Sequence, residues 1–262
     1  MRHFLRDGPY ILDTSGLTEL GLATIDSLSW QPERGSQLLV LCRKTGNEIA
    51  RIPIEGRYSL HTINAFEQEG RLVVDVIEFE RPVYGQYQVL PNLFEDVPFG
   101  QPVRFVVDLA TQEIVEKKTI NYRSAPDFPA IDPSYESRPY DDIWMLGISA
   151  TGQRGRKFFD RLVHTKWSQP DEFDIWACPR GHYLGGEPVF VEDPSEPNHG
   201  VIICHLFNTM VPSSHFALFD ASDVTAGPFA SLALQDAIHL AFHATFEFRR
   251  DKGGGNGANP AI

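Results

Sequence analysis

Nine histidines stand in a chain of 262 residues, and two of them keep unusual company. His61 opens the run His-Thr-Ile-Asn-Ala-Phe-Glu (61–67). His243 sits in His-Leu-Ala-Phe-His-Ala-Thr-Phe-Glu (239–247). Apolar and aromatic neighbours make an imidazolium expensive, so both are expected to be neutral. Taken singly, each reads first as a hydrogen-bonded core histidine. Two carboxylates occupy similarly apolar settings: Asp127 in Pro-Asp-Phe-Pro and Glu187 in Gly-Gly-Glu-Pro-Val-Phe-Val. A buried acid needs a partner. A neutral histidine that binds a metal through one ring nitrogen and donates from the other to a carboxylate satisfies all these groups.

The other candidates are weaker. Gly152-x-x-Gly155-x-Lys157 has phosphate-loop spacing but lacks the Gly-Lys-Ser/Thr ending, and it reads as a turn. Ser214 and His215 are adjacent; on a strand they would point to opposite faces, so they do not make a nucleophile and base. Cys42, Cys178 and Cys204 are few, dispersed and odd in number, which reads as reduced thiols in or near a core. No paired carboxylates stand out in one motif, which argues against a hydrolase built on an Asp–Glu pair. A net charge of −12 argues against nucleic acid, which requires a clustered basic surface. No apolar run approaches the ~20 residues of a membrane span, and Met1-Arg2-His3 does not begin like a signal peptide; the expected location is cytoplasmic.

The elements that must position these residues read as β. Arg71–Ile77 is rich in β-branched residues, and Val103, Phe105, Val107 and Leu109 alternate with polar positions. Ala110-Thr111-Gln112 turns that strand into Glu113–Ile120. Further strands are expected at 142–148, 156–164, 172–176, 188–191, 200–207, 216–219, 229–234 and 240–248. Helix signals are confined to Leu17–Ser29, with Ser15 or Thr18 as cap, and to a turn within Pro91–Gly100. Short strands with Gly, Pro, Asp and Asn between them mean an all-β sandwich, barrel or propeller. The Gly-rich stretch 251–262 has no apolar cluster and reads as a disordered tail, leaving 1–250 as one domain.

Five motifs in this order make the sequence recognisable: His61–Glu67, Asp127–Pro133 (Asp-Phe-Pro-Ala-Ile-Asp-Pro), Arg138-Pro-Tyr140, Gly186–Val191 (Gly-Glu-Pro-Val-Phe-Val) and Ala241–Phe246 (Ala-Phe-His-Ala-Thr-Phe). Together they resemble the carotenoid cleavage oxygenases, which include the retinal-pigment-epithelium isomerase and the lignostilbene dioxygenases. The resemblance runs from about Trp30 to Phe248. It implies a seven-bladed β-propeller, here incomplete and limited to roughly the C-terminal blades. It also implies a non-haem Fe(2+) centre on four histidines that uses dioxygen to cleave a conjugated alkene to two carbonyl products.

Within that resemblance His61 matches the third iron ligand in chain order and His243 the fourth. Glu187 matches the carboxylate that orients the fourth, and Asp127 falls where the family usually has the Glu that orients the third. The shorter Asp127 is expected to reach His61 weakly or through water. The first two ligands have no counterpart; only His3 lies upstream, without the surrounding pattern. The expected partners are an apolar conjugated substrate and dioxygen, with peripheral membrane contact and a complementing N-terminal half left open. The alternative reading is a metal-free propeller fragment that binds an apolar ligand or a partner subunit.

Overall fold

A computed structural model describes residues 2–83, 97–122, 124–148, 158–196 and 199–247, with 2–7 described by backbone alone. The Gly152–Lys157 stretch, most of Pro91–Gly100, the first residues of the 156–164 strand and the Gly-rich tail lie outside them.

The fold is all-β. Three sheets of four antiparallel strands follow one another along the chain, each a simple meander. The first contains β6 (Thr62–Gln68), β7 (Arg71–Phe79), β8 (Gly100–Asp108) and β9 (Glu113–Thr119). The second contains β10 (Ala125–Ala130), β11 (Asp142–Ile148), β12 (Arg161–Lys166) and β13 (Gln169–Ala177). The third contains β14 (His182–Glu192), β15 (Gly200–Asn208), β16 (Ser213–Asp220) and β17 (Ala230–Ala233). A fourth sheet precedes them with only three strands, in the order β1 (Arg2–Asp7), β4 (Ser36–Cys42), β5 (Glu48–Ile54). The ribbon β2 (Tyr10–Leu12) and β3 (Leu28–Trp30) lies between β1 and β4.

The sheets stack face to face, which explains their composition. Leu38, Val40, Ala50 and Ile52 from β4–β5 pack on Leu72, Val74, Val76, Val103, Phe105 and Val107 from β7–β8. Leu146, Ile148 and Leu162 of the second sheet pack with Phe190, Ile202, Cys204, Ala217 and Phe219 of the third. Middle strands are therefore covered on both faces. That is why β7 and β11 read as nearly unbroken apolar runs, whereas β9 and β13, the last strands of their sheets, are mostly exposed. Each fully buried Leu, Val or Phe contributes about 1.5–3 kcal/mol.

One charged cluster crosses the stack. Asp75, fully buried in β7, receives Nε and Nη2 of its cross-strand partner Arg104 at 2.9 and 2.8 Å, and the Tyr140 hydroxyl at 2.6 Å. Trp167 Nε1 donates to the Tyr140 oxygen, and the Arg104 guanidinium lies 4.3 Å over the Trp167 ring. Nearby, Asn64 Nδ2 donates to the carbonyls of Tyr135 and Arg138, and its Oδ1 accepts from Ser137 N. The motifs at 61–67 and 138–140 thus meet as a lock between the first two sheets.

The helix expected within Leu17–Ser29 is corrected: the one α-helix among the described residues, α1 (Thr14–Thr18), is capped by Asp13 and ends at Thr18, and the expected span continues as turns, a 3-10 turn at Ile25–Ser27 and strand β3. Residues 240–247 do not form the expected last strand; they lie outside any ladder, as irregular chain packed on β14. Cys204 is buried and Cys42 and Cys178 are partly so, all three free.

Candidate metal centre

The first strands of the three sheets converge: β10 touches both β6 and β14. The candidate site stands there. His61 immediately precedes β6, and its carbonyl accepts from Ile77 N of β7. Its Nδ1 lies 2.6 Å from Oδ1 of Asp127 in β10. His243 Nδ1 lies 2.6 Å from Oε1 of Glu187 in β14. The two imidazoles, 182 positions apart in sequence, stand 5.6 Å apart at 86°.

An ionised carboxylate only accepts, so it favours the proton on Nδ1, and in the neutral imidazole that leaves the Nε2 lone pair for a metal. The spacing fits as well: with a metal–nitrogen bond of about 2.1 Å, each ring centroid stands about 3.2 Å from a shared ion, so two rings on one ion lie at most about 6.4 Å apart. Among the described residues no group of three or more His, Cys, Asp or Glu gathers as a metal-binding set.

The weakened or water-mediated contact expected of Asp127 is corrected by the structure. The shorter side chain reaches the ring directly, from an irregular stretch of β10. The pairing of β10 with β11 shifts between Asp127 and Ala130, and Phe128 takes a left-handed φ of 50°. This bulge turns Asp127 toward His61, and Phe128 N donates to the same Oδ1 at 3.0 Å. Pro126 and Pro129 are accommodated because β10 is the edge of its sheet.

Glu187 is positioned by a similar device. The pairing of β14 with β15 shifts between Gly185 and Val189, and Gly186 has φ 75°. The two glycines let the chain at 240–244 approach closely: Gly186 N donates to Ala241 O at 2.8 Å, and a Cβ on Gly185 would meet Ala241 N at 3.0 Å. Glu187 then holds both His243 and Ala244, whose N donates to Oε2 at 2.6 Å.

The surroundings differ in exposure. The His61 side chain is 15% exposed and that of His243 61%. Phe128 packs on His61 at 4.9 Å, and Phe242 stands edge-on to His243 at 4.8 Å and 6.1 Å from His61. Sequence reasoning did not single out these rings, although each adjoins a candidate residue in sequence. It also passed over His205, whose Nε2 lies 3.1 Å from Ser214 Oγ. Ser214 does meet a histidine, then, but one on the neighbouring strand β15. The same oxygen binds both N and O of Ile238, so it is a structural tie. Burial lowers the pKa of His205. His3 lies on β1 opposite Leu41.

Comparison with known proteins decides the family. The family described as retinal pigment epithelial membrane protein matches residues 8–247. The chain belongs to this family, the carotenoid cleavage oxygenases. It is 26% identical over 250 residues to an apocarotenoid-15,15'-oxygenase of Synechocystis, covering 91% of this chain and 46% of that one. It is 39% identical over 192 residues to a carotenoid isomerooxygenase of Galleria mellonella, covering 69% and 36%. A cobalt-substituted apocarotenoid oxygenase of Synechocystis superposes with a TM-score of 0.77 at 21% identity, over 92% of this chain and 50% of that one. The chain thus spans between about a third and a half of the length of these proteins.

Proposed function

We propose that this chain carries half of a non-haem iron(II) centre that cleaves a conjugated alkene of a carotenoid or apocarotenoid with dioxygen, giving two carbonyl products. One observation carries the reading: the His61 and His243 rings meet 5.6 Å apart, each with its Nδ1 against a carboxylate. In this reading His61 and His243 are ligands, and Asp127 and Glu187 orient them and offset the ion's charge. Phe242, edge-on to the buried Phe128, sets an apolar surface beside the two imidazoles that suits a hydrocarbon. Ferrous iron, when bound, supplies the redox chemistry with dioxygen. The three four-stranded sheets are then blades of a propeller whose family form has seven, of which residues up to about 250 make a part.

Two imidazoles hold a divalent ion less tightly than the larger donor sets typical of metal sites. The isolated chain is therefore expected to bind iron weakly. The test is anaerobic titration with Fe(II), read by metal analysis after desalting, beside an assay for carbonyl products from an apocarotenoid. Binding abolished in both His61→Ala and His243→Ala supports the reading. Binding unchanged in both variants would end it.

The metal-free alternative is favoured by a different observation: one face of the last sheet is apolar and incompletely covered.

A further inference from the structure

Asp127 and His61 come from different sheets, so their contact depends on how two strands are held side by side. The tolerance is small: a contact of 2.6 Å ceases to be a hydrogen bond once it stretches by about 1 Å. Neither strand is a regular guide. The pairing of β6 with β7 shifts between Thr62 and Asn64, just beyond His61, and that of β10 with β11 shifts between Asp127 and Ala130. Side chains alternate between the faces of a strand, so a slip of one residue near Thr62 would turn His61 away from Asp127.

The two irregular stretches are tied together outside the ladders. The connection from β10 to β11, residues 131–141, is far longer than the usual hairpin loop of about 2–5 residues. It binds the first sheet at two points. Tyr140 donates to Asp75 of β7 at 2.6 Å, and Asn64 of β6 holds the turn at 135–138.

Asn64 is buried and uses its whole hydrogen-bonding capacity there. Its Nδ2 donates to the carbonyls of Tyr135 at 3.0 Å and Arg138 at 3.2 Å. Its Oδ1 accepts from Ala65 N at 2.9 Å and Ser137 N at 3.0 Å. An amide side chain offers two donors and two acceptor lone pairs, and all four are engaged. The turn contains Ser137 at a left-handed φ of 61°, a conformation that a residue with a side chain seldom adopts unaided. Asn64 therefore holds the loop that continues from Asp127 in one shape and at one place on the strand that continues from His61.

We propose that Asn64 is a positioning residue for the candidate metal site: by binding both ends of the 135–138 turn it fixes the Asp127 strand against the His61 strand and so sets the contact of His61 Nδ1 with the carboxylate. The proposal deepens the metal reading above and rests on it for the purpose of that contact. The contact itself is followed without metal, which keeps the two separable.

The experiment is NMR of the imidazole nitrogens in the whole metal-free chain, at a pH well above the ordinary histidine value of about 6.5 so that the rings are neutral. His61 held by Asp127 should show a protonated Nδ1 and an unprotonated Nε2. Asn64→Leu is similar in size and lacks both donors; in it the proton should pass in part to Nε2, the tautomer a free histidine prefers. His243, whose carboxylate comes from β14, should keep its signals. Co(II) affinity of the same variant should fall about 10- to 100-fold. If Asn64→Leu misfolds, Asn64→Ser, which keeps one donor and one acceptor, should show the same change in smaller degree. Ser137→Gly keeps the N–H that Asn64 accepts and suits the left-handed backbone, so it should leave His61 unaltered. Unchanged His61 signals in the Asn64 variants overturn the proposal. So does a common shift of His61, His205 and His243, the mark of general loosening, and so does a Ser137→Gly chain that behaves like Asn64→Leu. An unaltered chain that binds no Co(II) ends the metal reading, while a His61 tautomer shift in that chain's Asn64 variants still supports the positioning role.

Discussion

Asp127 holds His61 directly, with 2.6 Å between Oδ1 and Nδ1, and it does so from a left-handed bulge and not through a longer side chain. The carboxylate is almost wholly buried, so there is no spare room for a methylene. Asp127→Glu therefore should not improve the site. It pushes the carboxylate about 1.5 Å too far and forces either the ring or the bulge to move. Overpacking of this kind costs about 1–3 kcal/mol, and disturbing a group that orients a ligand costs about 10- to 100-fold in metal affinity. Fe(II) affinity should fall in Asp127→Glu and fall further in Asp127→Ala. A gain in affinity on lengthening would mean that the observed contact is not the one that matters.

Gly186 is the corresponding test for Glu187 and His243. Its φ of 75° is costly for any residue with a Cβ, and an added Cβ would stand 3.2 Å from the Ala244 Cβ. Gly186→Ala should lose about 1–2 kcal/mol for the left-handed backbone alone. The displaced 241–244 segment should carry His243 off Glu187. The imidazole signals of His243, followed by NMR, should broaden or move while those of His205 do not. Unchanged His243 signals would show that the close approach of the two segments does not set the contact.

The residues that meet at the candidate site were easier to read from the sequence than the architecture around them. His61, Asp127, Glu187 and His243 each stand out as a titratable group among apolar residues, a local signal that survives without a fold. The strands β7, β8 and β9 were equally plain from their patterns. β10 was not, because Pro126 and Pro129 speak against a strand and only its edge position permits them. Residues 240–247 erred in the opposite direction: their apolar sequence suits a strand, but no neighbouring strand pairs with them among the described residues. The direct Asp127–His61 contact was invisible for a third reason. It depends on a positive φ at Phe128, and a bulky aromatic gives no hint of that conformation.

The Asp75–Arg104 pair should behave as a buried ion pair does. Arg104→Met leaves the Asp75 carboxylate with no counter-charge at a fully buried position, where desolvation already pushes its pKa up. The expected loss is about 3–5 kcal/mol. Replacing both residues, as Asp75→Leu with Arg104→Met, should cost less than the single change because no charge is then stranded. Urea denaturation of the three proteins measures this. A double variant less stable than Arg104→Met would show that the pair contributes through hydrogen bonding to Tyr140 more than through charge balance.

His205 should give the fold an acid-sensitive step. Burial lowers its pKa below the ordinary histidine value of 6.5, so the folded state resists protonation while the unfolded state does not. Above that value both states are neutral and the residue contributes no pH dependence. Below it the unfolded chain binds the extra proton, so stability falls with falling pH until the folded-state pKa is reached. The proton has no good place to go: Nδ1 is buried without a hydrogen-bond partner, and Nε2 is committed to Ser214. The midpoint of urea denaturation should therefore drop as pH is lowered from about 7 to 5. Part of that drop should vanish in His205→Gln, which keeps a donor for Ser214 and cannot titrate. Because Ser214 also holds Ile238, the drop should be accompanied by loosening of the 235–247 segment, visible as faster amide exchange at Ile238. If the wild-type and His205→Gln curves run parallel across this range, the acid sensitivity belongs to another group and the burial of His205 is compensated.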